Sequence, residues 1–432
     1  MLTKGLDKYL SLDTSRFFTP GHKGQINREL LRYDLTELPM TDNLYSPKEF
    51  LRASQKKASD YYGSSQTYFS AGGNTLCINA MLRLAFSGKK MLFHRYSHVS
   101  AVNAIILLGI EPVWLCERTI SSESVKKAIS SDDVCALYIT SPDYYGKLQD
   151  IKGISEVCAQ FGVPLLVDNA HGSHLKPFKL HPLDFNVSMC ADSAHKTLPV
   201  LTGGAFLHIN SDAYRENVLE AMRLFGSTSP NFATLASLDC AVDWLMSDGE
   251  NKLIETAKTV NSLRKAAETK GIRVIKDNAD PLKLTLLING NKAYDHFLRH
   301  KVEPELSDEA HTVFMCSPFN TERDFERLYT AIESLNPEEP FNIAKTSAIP
   351  DIAMLPREAA FCKSHTVDIV KAKNLIAAES PYVCPPGIPL VAAGERITDE
   401  IIENAVKNKI RKIKTIIRKA DNYEACSGNR KQ

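Results

Sequence analysis

Ser193-Ala194-His195-Lys196-Thr197 follows the apolar and small run Val187-Ser188-Met189-Cys190-Ala191, so Lys196 stands where a strand leaves a sheet. An amine that is to form a Schiff base has to be partly neutral and rigidly held, and a semi-buried loop beside a strand end meets both conditions. Alone, a lysine after a strand is most often a solvated loop residue. A second group lies in Leu165-Leu166-Val167-Asp168-Asn169-Ala170-His171-Gly172, where an apolar strand ends in a carboxylate. Asp168 can cap the next turn, or it can be the anion that keeps a pyridine nitrogen protonated, with the small Ala170 leaving room for a flat ring. A third is Ser70-Ala71-Gly72-Gly73-Asn74-Thr75, ahead of a helical pattern from Leu76 to Leu84. Glycines and a hydroxyl at a helix start offer backbone N–H groups and the helix dipole to a phosphate. Each signal alone is weak. In the order phosphate site, ring carboxylate, lysine, at one edge of one sheet, the three together are a much stronger signal for chemistry on a flat, phosphorylated ring cofactor.

The elements that must position these groups are short apolar runs alternating with amphipathic stretches between about residues 65 and 210. Met91-Leu92-Phe93, Val113-Trp114-Leu115, Cys135-Ala136-Leu137-Tyr138-Ile139 and Pro164-Leu165-Leu166-Val167 are the runs. Helical patterns at Ala101 to Gly109, Ser122 to Ser131 and Ile154 to Phe161 lie between them. Strands without inside–outside alternation, each followed by a helix, predict a mostly parallel sheet buried on both faces. Ligands of such sheets sit at the carboxyl ends of the strands. From about residue 255 the pattern changes to a smaller α+β domain, with strands at Ile272 to Ile275, Leu282 to Leu287 and Thr312 to Met315 and a helix from Glu322 to Leu335. Ile410, Ile413, Ile416 and Ile417, with basic residues opposite, predict an amphipathic helix over Ile397 to Lys419 packed on that domain.

The 432 residues suffice for two domains. A net charge of +1 gives no global attraction to nucleic acid, membrane or acidic ligands. The first residues have no apolar core of the kind a secretory signal needs, and no apolar stretch approaches bilayer length. The ten cysteines show no Cys-x-x-Cys spacing, which predicts reduced thiols in a cytoplasmic protein.

The chain resembles the bacterial ornithine/lysine/arginine decarboxylases, fold-type I (aspartate-aminotransferase-like) pyridoxal-phosphate enzymes. The resemblance rests on Thr19-Pro20-Gly21-His22-Lys23-Gly24, Thr36-Glu37-Leu38-Pro39 with Asp42-Asn43-Leu44-Tyr45, Asp168-Asn169-Ala170-His171-Gly172, Ser193-Ala194-His195-Lys196, Ser227-Thr228-Ser229-Pro230 and Pro385-Pro386-Gly387-Ile388-Pro389. It is closest to the short members, which lack an amino-terminal wing domain. The resemblance implies an α/β fold: a large domain with a mostly parallel seven-stranded sheet and a smaller carboxyl-terminal α+β domain. The divisions expected are residues 1–45, an amino-terminal segment serving the active site and dimer, 46–255 for the large domain and 256–432 for the small one. It further implies that Lys196 forms the Schiff base, that Asp168 pairs with the ring nitrogen, and that His98 stacks on the ring with His171 near it. Gly73, Asn74, Thr75, Ser193 and His195 would surround the phosphate, and Thr228 or Ser229 would complete that site from the second subunit of a homodimer.

The activity implied is decarboxylation of arginine, lysine or ornithine to an amine of the polyamine-precursor class, by a lyase needing no metal. Asp143 and Glu379 are candidate partners for the substrate's cationic side chain. Several positions depart from the family pattern. Asn169 stands where glutamate is usual, Asp143 where threonine is common, Tyr382-Val383-Cys384 precedes the double proline, and Lys373-Asn374-Leu375 lacks a Gly-Arg pair. Three other functions stay open at this level. Asp168, His171, His174, Asp192 and His195 are metal-ligand types; a transaminase would start from the same chemistry; and the fold can persist in a silent binding protein.

Overall fold

The computed structural model describes residues 15–17, 21, 23, 37, 42–336 and 350–417. The strands are, in chain order, β1 (Ser15–Phe17), β2 (Gln66–Ser70), β3 (Lys90–His94), β4 (Pro112–Leu115), β5 (Val134–Thr140), β6 (Leu165–Asp168), β7 (Met189–Asp192) and β8 (Ala205–Ile209). They continue with β9 (Arg273–Val274), β10 (Lys283–Leu287), β11 (Val302–Pro304), β12 (Leu306–Ser307) and β13 (Thr312–Met315). The last are β14 (Ser364–Asp368), β15 (Tyr382–Val383), β16 (Ile388–Pro389) and β17 (Lys412–Ile416). Seven of them form one sheet in the order β2-β8-β7-β6-β5-β3-β4. It is mostly parallel, and β8 runs antiparallel to both β2 and β7. Every residue of β6, β7 and β8 is buried, which explains why their sequences are continuous apolar runs rather than alternating ones.

Packing divides the chain into two compact units. The first comprises 1–85, 119–126 and 138–345, and the second 86–118, 127–137 and 346–432. Within the first, a four-stranded sheet β12-β13-β10-β9 packs its apolar side chains, including Leu284, Leu286 and Phe314, with Val260, Leu263, Phe297 and Leu328 of the helices Glu250–Thr269, Gly290–Arg299 and Glu322–Glu333. Short β1 pairs in parallel with β11 and adds Phe17 to this core.

The second unit has its own small core of Ile369, Val391, Ile397, Ala405 and Ile413. Here one expectation fails. Residues 397–417 are not one helix: the helix Asp399–Lys407 ends, Lys409 adopts φ 60°, and β17 pairs antiparallel with β14. The spacing of Ile410, Ile413 and Ile416 imitates a helical stripe. Burial instead alternates, with Ile413 and Thr415 inside and Lys412 and Lys414 outside, which is the period of a strand. Among the described residues no helix is long and apolar enough to cross a membrane.

Candidate active site

Asp168 is the last residue of β6 and Lys196 lies in the one-turn helix Ala194–Thr197, four residues beyond the end of β7. The two strands are parallel neighbours, with Asp168 opposite Ala191. Both groups therefore emerge at the same carboxyl edge, as the sequence pattern predicted. Asp168 is 1% exposed. Its Oδ1 accepts from Asn74 Nδ2 at 2.9 Å and from the Ala170 amide at 3.2 Å, and its Oδ2 accepts from Tyr138 Oη at 3.0 Å. Burial pushes this carboxyl up to about 6, although the Lys196 charge and these three donors pull the other way.

Lys196 Nζ lies 3.0 Å from Nε2 of buried His171. The other ring nitrogen, Nδ1, is 3.3 Å from Nζ of a second lysine, Lys283, in β10. The Tyr144 ring stands edge-on to His171 at 4.8 Å, and Tyr144 Oη donates to Glu305.

The glycine loop opens the helix Gly73–Ala85 as expected. Gly73 has φ 70°, a conformation that glycine adopts without strain, and no atom lies within 4 Å of where its Cβ would be. Its amide donates to the Gly203 carbonyl at 2.8 Å. On the same side, the His195 amide and Nδ1 contact the Gly204 carbonyl at 3.2 and 3.1 Å, and Ser193 Oγ is 3.3 Å from His195 Nδ1. Gly73, Ser193 and His195 thus meet at one glycine-lined corner around Gly203 and Gly204. The Asn74 side chain is committed to Asp168 instead, which leaves its backbone for that corner.

Gly21, from the amino-terminal motif, is fastened to the lysine loop. Its amide donates to the His195 carbonyl at 2.8 Å, and its own carbonyl accepts from Ser317 Oγ at 2.8 Å. Lys23 is buried, and burial lowers its ammonium to about 8 against the pull of Glu305. Thr19, Pro20, His22, Gly24, Thr36, Leu38 and Pro39 lie outside the described residues, as does most of the segment 1–45.

Thr228 and Ser229 are exposed in a turn closed by the Ser229 amide on Ser227 Oγ at 3.1 Å. The Asp143 carboxylate accepts from the Lys147 amide at 2.8 Å. His98 and Glu379 belong to the second unit. His98 caps the helix Val99–Leu108, with Nδ1 2.8 Å from Ser100 Oγ. The double-proline motif packs on it: Val99 donates to the Gly387 carbonyl at 2.8 Å, and a Cβ on Gly387 would fall 2.5 Å from His98 Cδ2. Glu379 accepts from the Lys414 amide at 2.8 Å.

The suspected metal ligands do not converge. His174 bonds Asp280 at 2.8 Å, and Asp192 bonds His181 at 2.9 Å. The one grouping with ligand spacing among the described residues is His181, Cys190 and Asp192. Asn169 Nδ2 lies 2.7 Å from Asp192 and 3.1 Å from His181, so this departure from the family pattern serves a hydrogen-bonded cluster behind the site.

Sequence reasoning missed Tyr138, Lys283 and Glu305, and it gave Gly21 only as part of a motif, without its contact to the lysine loop. Tyr138 and Lys283 carried a signal, a polar group within a mostly apolar run. Nothing local marked Glu305.

The residues fit pyridoxal phosphate. A buried carboxylate with amide and hydroxyl donors but, among the described residues, no hydrogen-bonded cation, beside an amine and a glycine-lined corner, matches a protonated ring nitrogen, an aldehyde and a phosphate. Fold and site together define a fold-type I pyridoxal-phosphate enzyme. Solved structures share that architecture. The lysine decarboxylase LdcF of Francisella novicida superposes with a TM-score of 0.75 at 17% identity, over 91% of this chain and 76% of that one. An alanine–glyoxylate aminotransferase of Nostoc superposes with 0.59 over 74% and 94%.

The chain belongs to the Orn/Lys/Arg decarboxylase family: residues 1–297 match the model of its major domain and 342–412 that of its C-terminal domain. It is a pyridoxal-phosphate-dependent amino-acid decarboxylase acting on a basic amino acid. It is 31% identical to the uncharacterized protein YaaO of Bacillus subtilis, over 93% of this chain and 92% of that one. To an arginine decarboxylase of the same organism it is 29% identical, over 94% and 93%.

Proposed function

We propose that the substrate is arginine and that Lys196 and Asp168 are the groups that act on the cofactor. The observation that carries the residue assignment is the buried Asp168 carboxylate. It is held by Tyr138, Asn74 and Ala170 at the same sheet edge as Lys196. The choice among basic amino acids rests on full-length relatives named arginine decarboxylase.

When bound, pyridoxal phosphate supplies an aldehyde that captures the substrate amine and a protonated ring that accepts the electron pair left by departing carbon dioxide. Asp168 keeps a ring nitrogen protonated by placing a fixed negative charge beside it. Tyr138 and Asn74 stop that carboxylate from rotating away. Lys196 offers the amine that gives way to the substrate, and His171, at 3.0 Å, can take or return its proton. The amides of the first turn beyond Gly73 in the helix Gly73–Ala85, with Ser193 and His195, would hold the phosphate. His98 would stack on the ring.

Thr228 and Ser229, being exposed, suit completion of the phosphate site in a second copy, so the working unit is a homodimer. Asp143 and Glu379 remain candidates for the substrate's cationic end, each with one carboxylate bond to a backbone amide. Glu305 joins them, because Tyr144 links it to His171. The division into 1–45, 46–255 and 256–432 is retained as the functional one. Nine free cysteines among the described residues support a reducing, cytoplasmic setting.

The test is to incubate the loaded enzyme with arginine, lysine and ornithine in turn and measure carbon dioxide and amine. Arginine should react fastest, and Lys196→Ala should remove both turnover and the visible absorbance of the bound cofactor. Turnover of lysine or ornithine above arginine would overturn the substrate choice.

A further inference from the structure

Lys283 opens the buried strand β10 and is 2% exposed. A buried ammonium needs three acceptors to satisfy its three N–H groups. Lys283 has two backbone acceptors, the Asp143 carbonyl at 3.4 Å and the Tyr144 carbonyl at 3.2 Å, and His171 Nδ1 at 3.3 Å stands in the third position. The turn after β5 is shaped around it. Gly146 has φ 90°, and a Cβ there would lie 2.9 Å from Lys283 Cδ. The turn is also tied to the same strand region by Asp280 to Gly146 at 2.7 Å and by Thr285 Oγ1 to Tyr145 at 2.7 Å. Lys283 is therefore built in rather than left over.

His171 lies between two amines, with Nε2 toward Lys196 and Nδ1 toward Lys283. A neutral imidazole has one N–H and one lone pair, so it cannot accept from two ammonium groups. If Lys283 donates to Nδ1, the ring proton is on Nε2, and that proton points at a lone pair on Lys196. We propose that Lys283 is a positioning residue which, as an ammonium, fixes His171 as the Nε2–H tautomer and holds Lys196 as the free amine. The same line is a proton relay. A proton passes from Lys283 Nζ to His171 Nδ1 while the Nε2 proton passes to Lys196 Nζ. The net result is one proton moved from Lys283 to Lys196, with no change of oxidation state. Lys283 thus stores the proton that Lys196 gives up to become a nucleophile.

The charges facing Lys283 are Asp280, Asp143 and Glu305, which favour its ammonium, and Lys196, which opposes it. Burial lowers its proton affinity and is the largest influence. That keeps the proton transferable instead of locked on Lys283. By reciprocity, a charged Lys283 opposes protonation of Lys196.

The relay rests on Lys196 being the cofactor-bearing lysine, but its protonation pattern is testable in the cofactor-free full chain. In 15N-histidine-labelled protein at pH 7, the His171 signals, assigned by their loss in His171→Gln, should be those of a neutral ring with hydrogen on Nε2. A charged ring, or hydrogen on Nδ1, would overturn the proposal, and the only variant this measurement needs is His171→Gln, whose unchanged remaining histidine signals show that it folds. As a second measurement, acetylation of Lys196 is followed against pH by mass spectrometry. Lys283→Met should slow it about tenfold at pH 8, one unit of proton affinity. Lys283→Arg, which keeps the charge but does not release a proton, should restore the acetylation rate without restoring turnover. Superimposable wild-type and Lys283→Met profiles would refute the charge effect, and full turnover in Lys283→Arg would refute the relay. Failure of Lys196→Ala to lose the cofactor would instead count against the assignment of Lys196 itself.

Discussion

Asp168 and Asp192 end adjacent strands, and both are almost completely buried. Burial raises the proton affinity of each, yet the outcomes are opposite. Asp192 has a hydrogen bond to His181 at 2.9 Å and the His208 ring at 3.5 Å, and these histidines hold its carboxyl well below the usual range against the effect of burial. Among the described residues the hydrogen-bond donors to Asp168 are neutral, the charge of Lys196 acts on it without a hydrogen bond, and burial lifts it to about 6. Asp192 is compensated by its own chain and acts as structure. Asp168 is left short of a cation, and a buried anion short of a cation is a socket for one. Burial is common to the pair and compensation is what separates them, and the role proposed for Asp168 rests on that difference.

The contrast can be broken from the Asp192 side first. Asp192→Ala strands two buried histidines and Asn169, and should destabilise the fold by about 3–5 kcal/mol in denaturant melts of the cofactor-free chain. A loss under 1 kcal/mol would show that the cluster is not an anchor.

Asp168→Asn should leave the fold standing but lower kcat by on the order of 10²–10³-fold. The pH signatures should also differ in sign. The Asp168 pKa is raised in the folded state, so its contribution is present at low pH and is lost as pH rises from about 4 to about 6. That loss is about 3 kcal/mol for a shift of about two units. Asp168→Asn should abolish this part of the profile, so stability measured at pH 4 and pH 7 should differ less in the variant than in the parent. The Asp192 pKa is lowered, and its contribution is lost only as pH falls below the ordinary carboxylate range.

The smallest effect should come from Tyr138→Phe, which removes one of the Asp168 donors. We expect about 1 kcal/mol of lost stability and a further upward shift of Asp168, seen as a loss of stability that extends to higher pH. An unchanged profile would mean that Tyr138 does not govern this carboxylate.

Much of this arrangement is legible in the chain itself. The continuous apolar runs before Asp168 and Ser193 specify two buried parallel strands, and their ends specify where Asp168 and Lys196 emerge. The glycines at 72 and 73 specify an open helix start. Periodicity failed where two periods coincide. Ile410, Ile413 and Ile416 fit a helix on paper, but the pairing of Lys412–Ile416 with Ser364–Asp368 decided for a strand. Sequence distance from the candidate site also hid a contributor, since Lys283 lies 87 residues from Lys196.

What the sequence determined by itself was the type of each reactive group and the edge of the sheet on which it stands, because strand polarity and burial are local consequences of composition. What only the tertiary structure decided was the state of those groups. The same residue type, aspartate, at the end of two neighbouring strands became an anchored counter-ion in one case and an uncompensated anion in the other. The cause is that proton affinity depends on what surrounds a group in space, and His208, Tyr138 and Asn74 reach these carboxylates only after the chain has folded.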